Sequence, residues 1–221
     1  MAISSIFAIP EEITVHLGAP SDNGVQNVRV PFADYIKNVA SSEIYPTWPE
    51  SAIRANVYAQ ISFVMNRIVT EHYRARGYDF DITNSTQYDQ SFVYGRDVFE
   101  NISQIVDEIF NSYVVRSGDA IPLFARYCNG TTSTCPGGLS QWGSVSLAKE
   151  GFTPYRILNS YYGDVSIIDN APVANVSESY PGTALRVGSY GDEVKRVQIS
   201  LNRISKNYPA IPKIAYPDGV F

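Results

Sequence analysis

Charge is sparse in this 221-residue chain: 18% of the residues are charged, the net charge is −5, and no stripe of lysine and arginine runs through it. Tracking a phosphate backbone needs such a stripe, so a nucleic-acid partner is excluded. Histidine and cysteine are scarcer still, at two residues each. His16 and His72 lie far in sequence from Cys128 and Cys135. A structural zinc site needs four ligands, which two thiolates do not supply, so neither a metal nor another cofactor is expected. The cysteines flank the stretch Gly130 to Thr134 and could close a small disulfide loop or stay reduced. No apolar run reaches the ~18 residues of a membrane span. The N-terminus has no basic region and Pro10 cuts its apolar run short, so it does not read as a secretory signal.

What the chain does have is apolar and aromatic mass. Hydrophobic residues make up 44% and aromatic residues 13%, with 16 tyrosines. That is enough to bury a sizeable core, and the length suits one domain, or one domain plus a fragment. Tyrosine and tryptophan offer a flat apolar face with a polar edge, which serves both core packing and carbohydrate contact.

Ile13 to His16 and Val25 to Val30 alternate as strands do, with a turn-rich stretch between them. Pro31 then opens a short helix with Phe32, Tyr35, Ile36 and Val39 on one face. Thr47 to Glu50 reads as a capping box that launches a helix of about six turns. Its apolar stripe is Ile53, Val57, Ile61, Val64, Met65 and Ile68. Tyr78 to Tyr94 has no period and reads as loop with a short strand. Asp97 is placed to cap a helix with Val98, Ile102, Ile105, Val106 and Ile109 inward. A β-hairpin is expected from Tyr113 to Arg116, a turn at Gly118-Asp119, and Ile121 to Tyr127. Two helices follow, Gln141 to Lys149 and Pro154 to Tyr161. Segregated helices and antiparallel hairpins define an α+β class. The stretch from Asp164 to Pro181 reads as linker, and a helix with Val194, Val197, Leu201 and Ile204 inward begins at Asp192. The division expected is a domain over 1–165, a linker over 166–183 and a helical fragment over 184–221.

One stretch carries chemistry. From Val30 to Glu50 the chain runs V-P-F-A-D-Y-I-K-N-V-A-S-S-E-I-Y-P-T-W-P-E, with Glu43 between a short helix and the turn that feeds the long one. The pattern V-P-x-x-D-Y-x-x-x-V-x-x-S-E, followed by W-P-E and a helix, resembles the opening motif of the SpoIID/LytB family of bacterial sporulation and cell-wall proteins. The resemblance continues at D-I-T-N-S-T-Q-Y-D-Q, at S-Q-W-G from Ser140 to Gly143, and at I-L-x-x-Y-Y-G ending at Gly163, covering about residues 10–165. Residues 185–221 resemble the first half of a three-helix peptidoglycan-binding module, through L-R-x-G-S-x-G-x-x-V-K-x-x-Q-x-x-L-N and the closing D-G-V-F. The module reads as truncated.

The resemblance implies a SpoIID-like domain that cleaves peptidoglycan glycan strands as a lytic transglycosylase. Glu43 would be its catalytic acid/base, and Ser140, Gln141 and Trp142 would line the cleft to bind substrate. One carboxyl can act as acid and then as base when the attacking hydroxyl returns the proton. The apolar neighbours Ile44 and Trp48 would raise its pKa by desolvation. Asp34 is a generic candidate for a second carboxylate of the kind a hydrolase needs. The resemblance also implies action at the forespore or spore envelope, with the protein otherwise cytoplasmic until released. Three departures favour an alternative, a non-catalytic peptidoglycan-binding wall or spore protein on the same scaffold. Ile61 stands where the family has arginine, no histidine precedes S-Q-W-G, and Tyr88 stands where the family has cysteine or a similar residue.

Overall fold

The computed structural model describes residues 6–174, 184–205, 210–214 and 217–220. The chain divides into two compact units, Met1–Val176 and Ser177–Phe221. The first is an α+β unit in which helices surround one central helix and four small sheets tie down the loops between them.

Strand β2 (Glu12–His16) pairs antiparallel with β3 (Asn27–Pro31) and parallel with β4 (Ile82–Thr83), while β1 (Ile9–Pro10) pairs parallel with β9 (Val173–Ala174). Pro31 then starts α1 (Phe32–Glu43), its fixed φ suiting the entry to a helix. Phe32, Tyr35, Ile36, Val39 and Ala40 recur at helical spacing and are all buried. The helix stops at Glu43 because Ile44 turns extended, and Tyr45 precedes Pro46, which disfavours a helical Tyr45. The last carboxylate of α1 is thereby held at a fixed break in the chain.

Helix α2 (Glu50–Val69) is the centre of the unit. The expected stripe is buried, with Ile68 half-buried at its end, but the burial goes almost all the way round. One side packs Ile53, Val57, Ile61, Val64 and Met65 into the main core; the other presents Ala55 and Ala59 to a second cluster with Val114, Ile157 and Leu158. Small side chains on that second side let neighbouring elements approach closely, so polar Asn56, Gln60 and Ser62 are buried as well. The capping box is not made: α2 begins after Pro49, with no side-chain hydrogen bond to its first turn.

Helix α3 (Glu100–Ile109) buries Ile102, Ile105, Val106 and Ile109 as expected. Its cap is Phe99 rather than Asp97, and Val98 lies outside the helix and exposed. The expected hairpin is replaced by a longer-range pairing. Strand β5 (Tyr113–Arg116) turns at Gly118-Asp119, but pairs antiparallel with β8 (Val165–Ile168). Only the single bridge from Val115 to Pro122 remains of the hairpin, since proline has no N–H to extend the ladder. β6 (Tyr127–Cys128) instead pairs parallel with β7 (Leu139–Ser140). Helices α4 (Gln141–Lys149) and α5 (Pro154–Tyr162) follow, α5 capped by the Thr153 side chain. Because β8 and β9 belong to the first unit, residues read as the start of a linker are part of the fold.

In the second unit, α6 (Asp192–Ser205) buries Val194 and half-buries Val197 and Leu201. The Ile204 side chain, the Phe221 end of D-G-V-F and the second half of the linker, 175–183, lie outside the described residues. Gln198 clamps the D-G-V segment: its Nε2 donates to Asp218 Oδ1 at 3.0 Å and to the Val220 carbonyl at 2.8 Å, while its Oε1 accepts from Gly219 N–H at 2.7 Å. Gly219 has φ of +78°, and a Cβ there would meet the Gly191 carbonyl oxygen at 2.8 Å, so this position needs glycine.

Candidate active site

Glu43 is partly withdrawn from solvent and its carboxylate is held from three elements. Oε1 accepts from the Ser91 backbone N–H at 2.8 Å, Oε2 accepts from Gln60 Nε2 of α2 at 2.9 Å, and the Tyr127 hydroxyl of β6 donates to the carboxylate. Burial pushes the Glu43 pKa up to about 7, and these three donors pull it back only in part. Desolvation wins because the carboxylate gives up far more hydration than fixed donors replace.

A second layer fixes the donors. Gln90 is fully buried: its Oε1 accepts from Tyr35 at 2.9 Å, and its Nε2 donates to Tyr127 Oη at 3.0 Å and to the Gln60 carbonyl at 3.2 Å. Burial holds both Tyr35 and Tyr127 well above the usual tyrosine range, so each stays a neutral hydroxyl. The loop that presents Ser91 is stapled to α1, where Asn38 exchanges hydrogen bonds of 2.8 and 2.9 Å with the Val93 backbone. Its other end hangs on Asp89, which accepts from Arg67, Tyr73 and Thr83 with its side chain fully enclosed.

The segment just after Glu43 brings an aromatic surface with it. Trp48 contacts Tyr45 and Trp142 at ring-centroid distances of 5.7 and 5.0 Å, and Tyr45 meets Trp142 at 5.9 Å. Trp48 is the anchor, at 8% exposure; Tyr45 and Trp142 are the open faces, at 57% and 39%. Trp142 therefore sits beside the chain that carries Glu43, although nearly a hundred residues separate them.

The other expected binding residues, Ser140 and Gln141, make hydrogen bonds at the start of α4. Ser140 Oγ accepts from Gly143 N–H at 3.0 Å, capping α4, and also engages the Tyr161 hydroxyl. A Cβ at Gly143 would strike Tyr161 Oη and Ser140 Oγ, which explains the glycine of S-Q-W-G. Gln141 is buried, and its carbonyl accepts from Ser144 Oγ at 2.6 Å, which in turn accepts from Asn56 of α2 at 2.8 Å. Asp34 is exposed in the first turn of α1, nine residues before Glu43. That is about 13 Å along the helix, beyond the roughly 5–9.5 Å at which paired carboxylates act across one glycosidic bond. Ile61 is wholly buried in the core, and Tyr88 is partly exposed on the loop.

Gln60, Ser91, Gln90 and Tyr127 were not singled out by sequence reasoning. Two of the donors are legible only after the fold, because a backbone N–H and a tyrosine among 16 carry no signature. Gln60 had a signal: with Asn56 it forms a pair of amide side chains one turn apart in a helix that is mostly apolar where it is buried.

Cys128 and Cys135 form a disulfide, with Sγ atoms 2.18 Å apart. It closes the loop between β6, which carries Tyr127, and β7, which leads into Trp142. Among the described residues no group of three or more potential metal-ligating side chains converges, and no helix is long and apolar enough to cross a membrane.

The fold and site thus define an α+β protein with a hydrogen-bonded, desolvated carboxylate at Glu43, two residues before Tyr45 of a partly open aromatic cluster. No family model matches the chain. The chain is similar to an uncharacterized protein of Brachyspira hyodysenteriae, 31% identical over 104 residues. That stretch is 46% of this chain and 27% of the relative, so the match spans about a quarter of that protein's length.

Proposed function

We propose that the protein is a peptidoglycan lytic transglycosylase with Glu43 as its acid/base. The observation that carries this reading is the Glu43 carboxyl fixed by Ser91, Gln60 and Tyr127, its pKa pushed up to about 7 by burial, two residues before exposed Tyr45, which meets Trp142. At neutral pH roughly half of such a carboxyl is protonated, which suits one group that must give a proton and take one back. In the first step the Glu43 carboxyl protonates the glycosidic oxygen as the bond from muramyl C1 to that oxygen breaks. In the second, the 6-hydroxyl of the same muramyl residue attacks C1 and passes its proton to the Glu43 carboxylate. The products are a 1,6-anhydromuramyl end and a free 4-hydroxyl, and no water is consumed. A second carboxylate is not needed for this balance, in keeping with the position of Asp34 at the far end of α1.

Tyr45 and Trp142 supply stacking faces for sugar, and Trp48 holds them in place. The Gln198-clamped second unit is read as the glycan-binding fragment, and the place of action as the cell wall or spore envelope. A non-catalytic binding role on the same scaffold is favoured by one observation: Ile61 is sealed in the core, so that position offers Glu43 no cation. Digestion of purified glycan strands, with and without stem peptides, decides between them by mass spectrometry. The enzyme reading expects anhydromuramyl products from the native protein and their loss in Glu43→Gln; absence from the native protein, or an unchanged yield in the variant, overturns it.

A further inference from the structure

Gln60 carries a feature that the chemistry above leaves unused. Its side chain is fully buried, its Nε2 donates to Glu43 Oε2, and its Oε1 has no hydrogen-bond partner. A buried acceptor without a donor costs free energy, and native proteins seldom keep one without a reason.

The reason lies in what Glu43 needs when it is protonated. A carboxylate only accepts, but a carboxylic acid must also donate its O–H. The Ser91 N–H cannot accept it. Tyr127 Oη already accepts from Gln90 Nε2 at 3.0 Å and would have to surrender its own donation to Glu43. Gln60 alone among the three has a donor and an acceptor on one planar group. Rotation of its terminal amide, a broad twofold torsion, exchanges the two. As placed, the far atom Oε1 has no partner, so the contact with the carboxyl is what sets the orientation of the amide.

We infer that Gln60 is a positioning residue whose carboxamide turns over with the protonation of Glu43, donating through Nε2 to the carboxylate and accepting through Oε1 from the acid. This rests on the reading of Glu43 as an acid/base, since it keeps both forms in one place through the two proton steps. The titratable groups around the pair are Tyr127 from β6 and Tyr35 from α1, with Asp89 acting on Tyr35 from the loop. Both tyrosines stay neutral across the range in which Glu43 titrates, which leaves the Glu43 proton as the trigger.

The test is NMR titration of the full chain with 13C-labelled glutamate and 15N-labelled glutamine, Glu43 being assigned through Glu43→Gln. A turning amide stabilises both forms, so Gln60→Met should leave the Glu43 midpoint within about half a pH unit. A fixed donor stabilises only the carboxylate, and its removal should raise the midpoint by about one pH unit or more, which would overturn the inference. The native protein supplies a check independent of the variant's folding. Coupling through the hydrogen bond between Gln60 15Nε2 and Glu43 13Cδ should be present above the midpoint and vanish below it; coupling that persists on both sides also overturns the turn. Neither measurement depends on activity, so failure to form anhydro products would remove the transglycosylase reading and leave the amide result standing. Where glycan cleavage is observed, Gln60→Met should lower kcat about tenfold with KM unchanged.

Discussion

The Trp142 ring lies against Trp48 with 5.0 Å between centroids, tilted by 60°, and through it the start of α4 is joined to the segment that leaves Glu43. The two rings differ in role because they differ in burial. Trp48 is a core anchor, and Trp142 keeps more than a third of its surface in solvent.

Truncation should separate these roles. Trp142→Ala removes an open stacking face while leaving its own cap, Ser140, in place. The expected outcome is a glycan affinity weaker by about tenfold, with a melting temperature nearly unchanged, since an aromatic stacking contact contributes about 0.5–1.5 kcal/mol. Trp48→Ala should instead destabilise the fold by about 3–5 kcal/mol, as large buried aromatics do. Glycan-binding isotherms and denaturant melts of the two variants check both halves.

Glu43 makes stability depend on pH in a specified direction. Its pKa rises from 4.5 to about 7 on folding, so the folded state holds this proton more tightly than the unfolded chain. The stability it contributes is fully present below about pH 4.5 and is lost as pH rises through about 7, by about 3 kcal/mol at most. Glu43→Gln carries no such proton. Between pH 4.5 and 7 its stability curve should therefore fall less steeply than the native one. Above pH 7 the variant should be the more stable of the two, with the turned Gln60 amide able to pair with the new one. Urea melts from pH 4 to pH 8 on both proteins measure the difference.

Asp89 should matter to a site it does not touch. Its enclosed carboxylate is paired with Arg67 at 3.0 Å and also accepts from Tyr73 and Thr83. Removing one partner of such a buried pair costs about 3–5 kcal/mol, because the other charge is left uncompensated. Ser91, two residues on, would lose its fixed position against Glu43. Asp89→Ala should lower the denaturation midpoint sharply and weaken amide protection at Ser91, both readable by hydrogen exchange with increasing urea.

How far the sequence carried these conclusions depends on the range of each interaction. Helices α1, α2, α4 and α5 were legible within a residue or two, since their apolar spacing and flanking prolines are local. The hairpin at Tyr113 was misread because its true partner, β8, lies some fifty residues on, in a stretch whose Pro and Asn content imitates a linker. Capping failed at Thr47 and Asp97 for another reason. Each is a suitable residue near a helix start, but Pro49 and Phe99 enter the helices instead, and the Phe99 N–H is taken by Ser41 Oγ from α1. Glu43 stood out because the local sequence sets it between a short helix and the turn that feeds a long one, beside Ile44, Tyr45 and Trp48. Its donors did not, because Ser91, Gln60 and Tyr127 meet only in the folded chain.

The disulfide offers the last separation, between what holds the site and what holds the loop. Cys128 follows Tyr127 directly, and Cys135 leads back to β7 and Trp142. The β6–β7 pairing joins Tyr127 to Leu139 and Cys128 to Ser140 independently of the sulfur bridge. Reduction frees the short intervening loop and should cost about 2–3 kcal/mol of stability, the chain entropy of so small a ring. The ladder should nevertheless keep Tyr127 on Glu43. A Cys128→Ser, Cys135→Ser double variant is therefore expected to melt several degrees lower, with the carboxyl midpoint still near pH 7. A midpoint falling back toward 4.5 would show that the bridge, rather than the strand pairing, keeps the carboxylate desolvated.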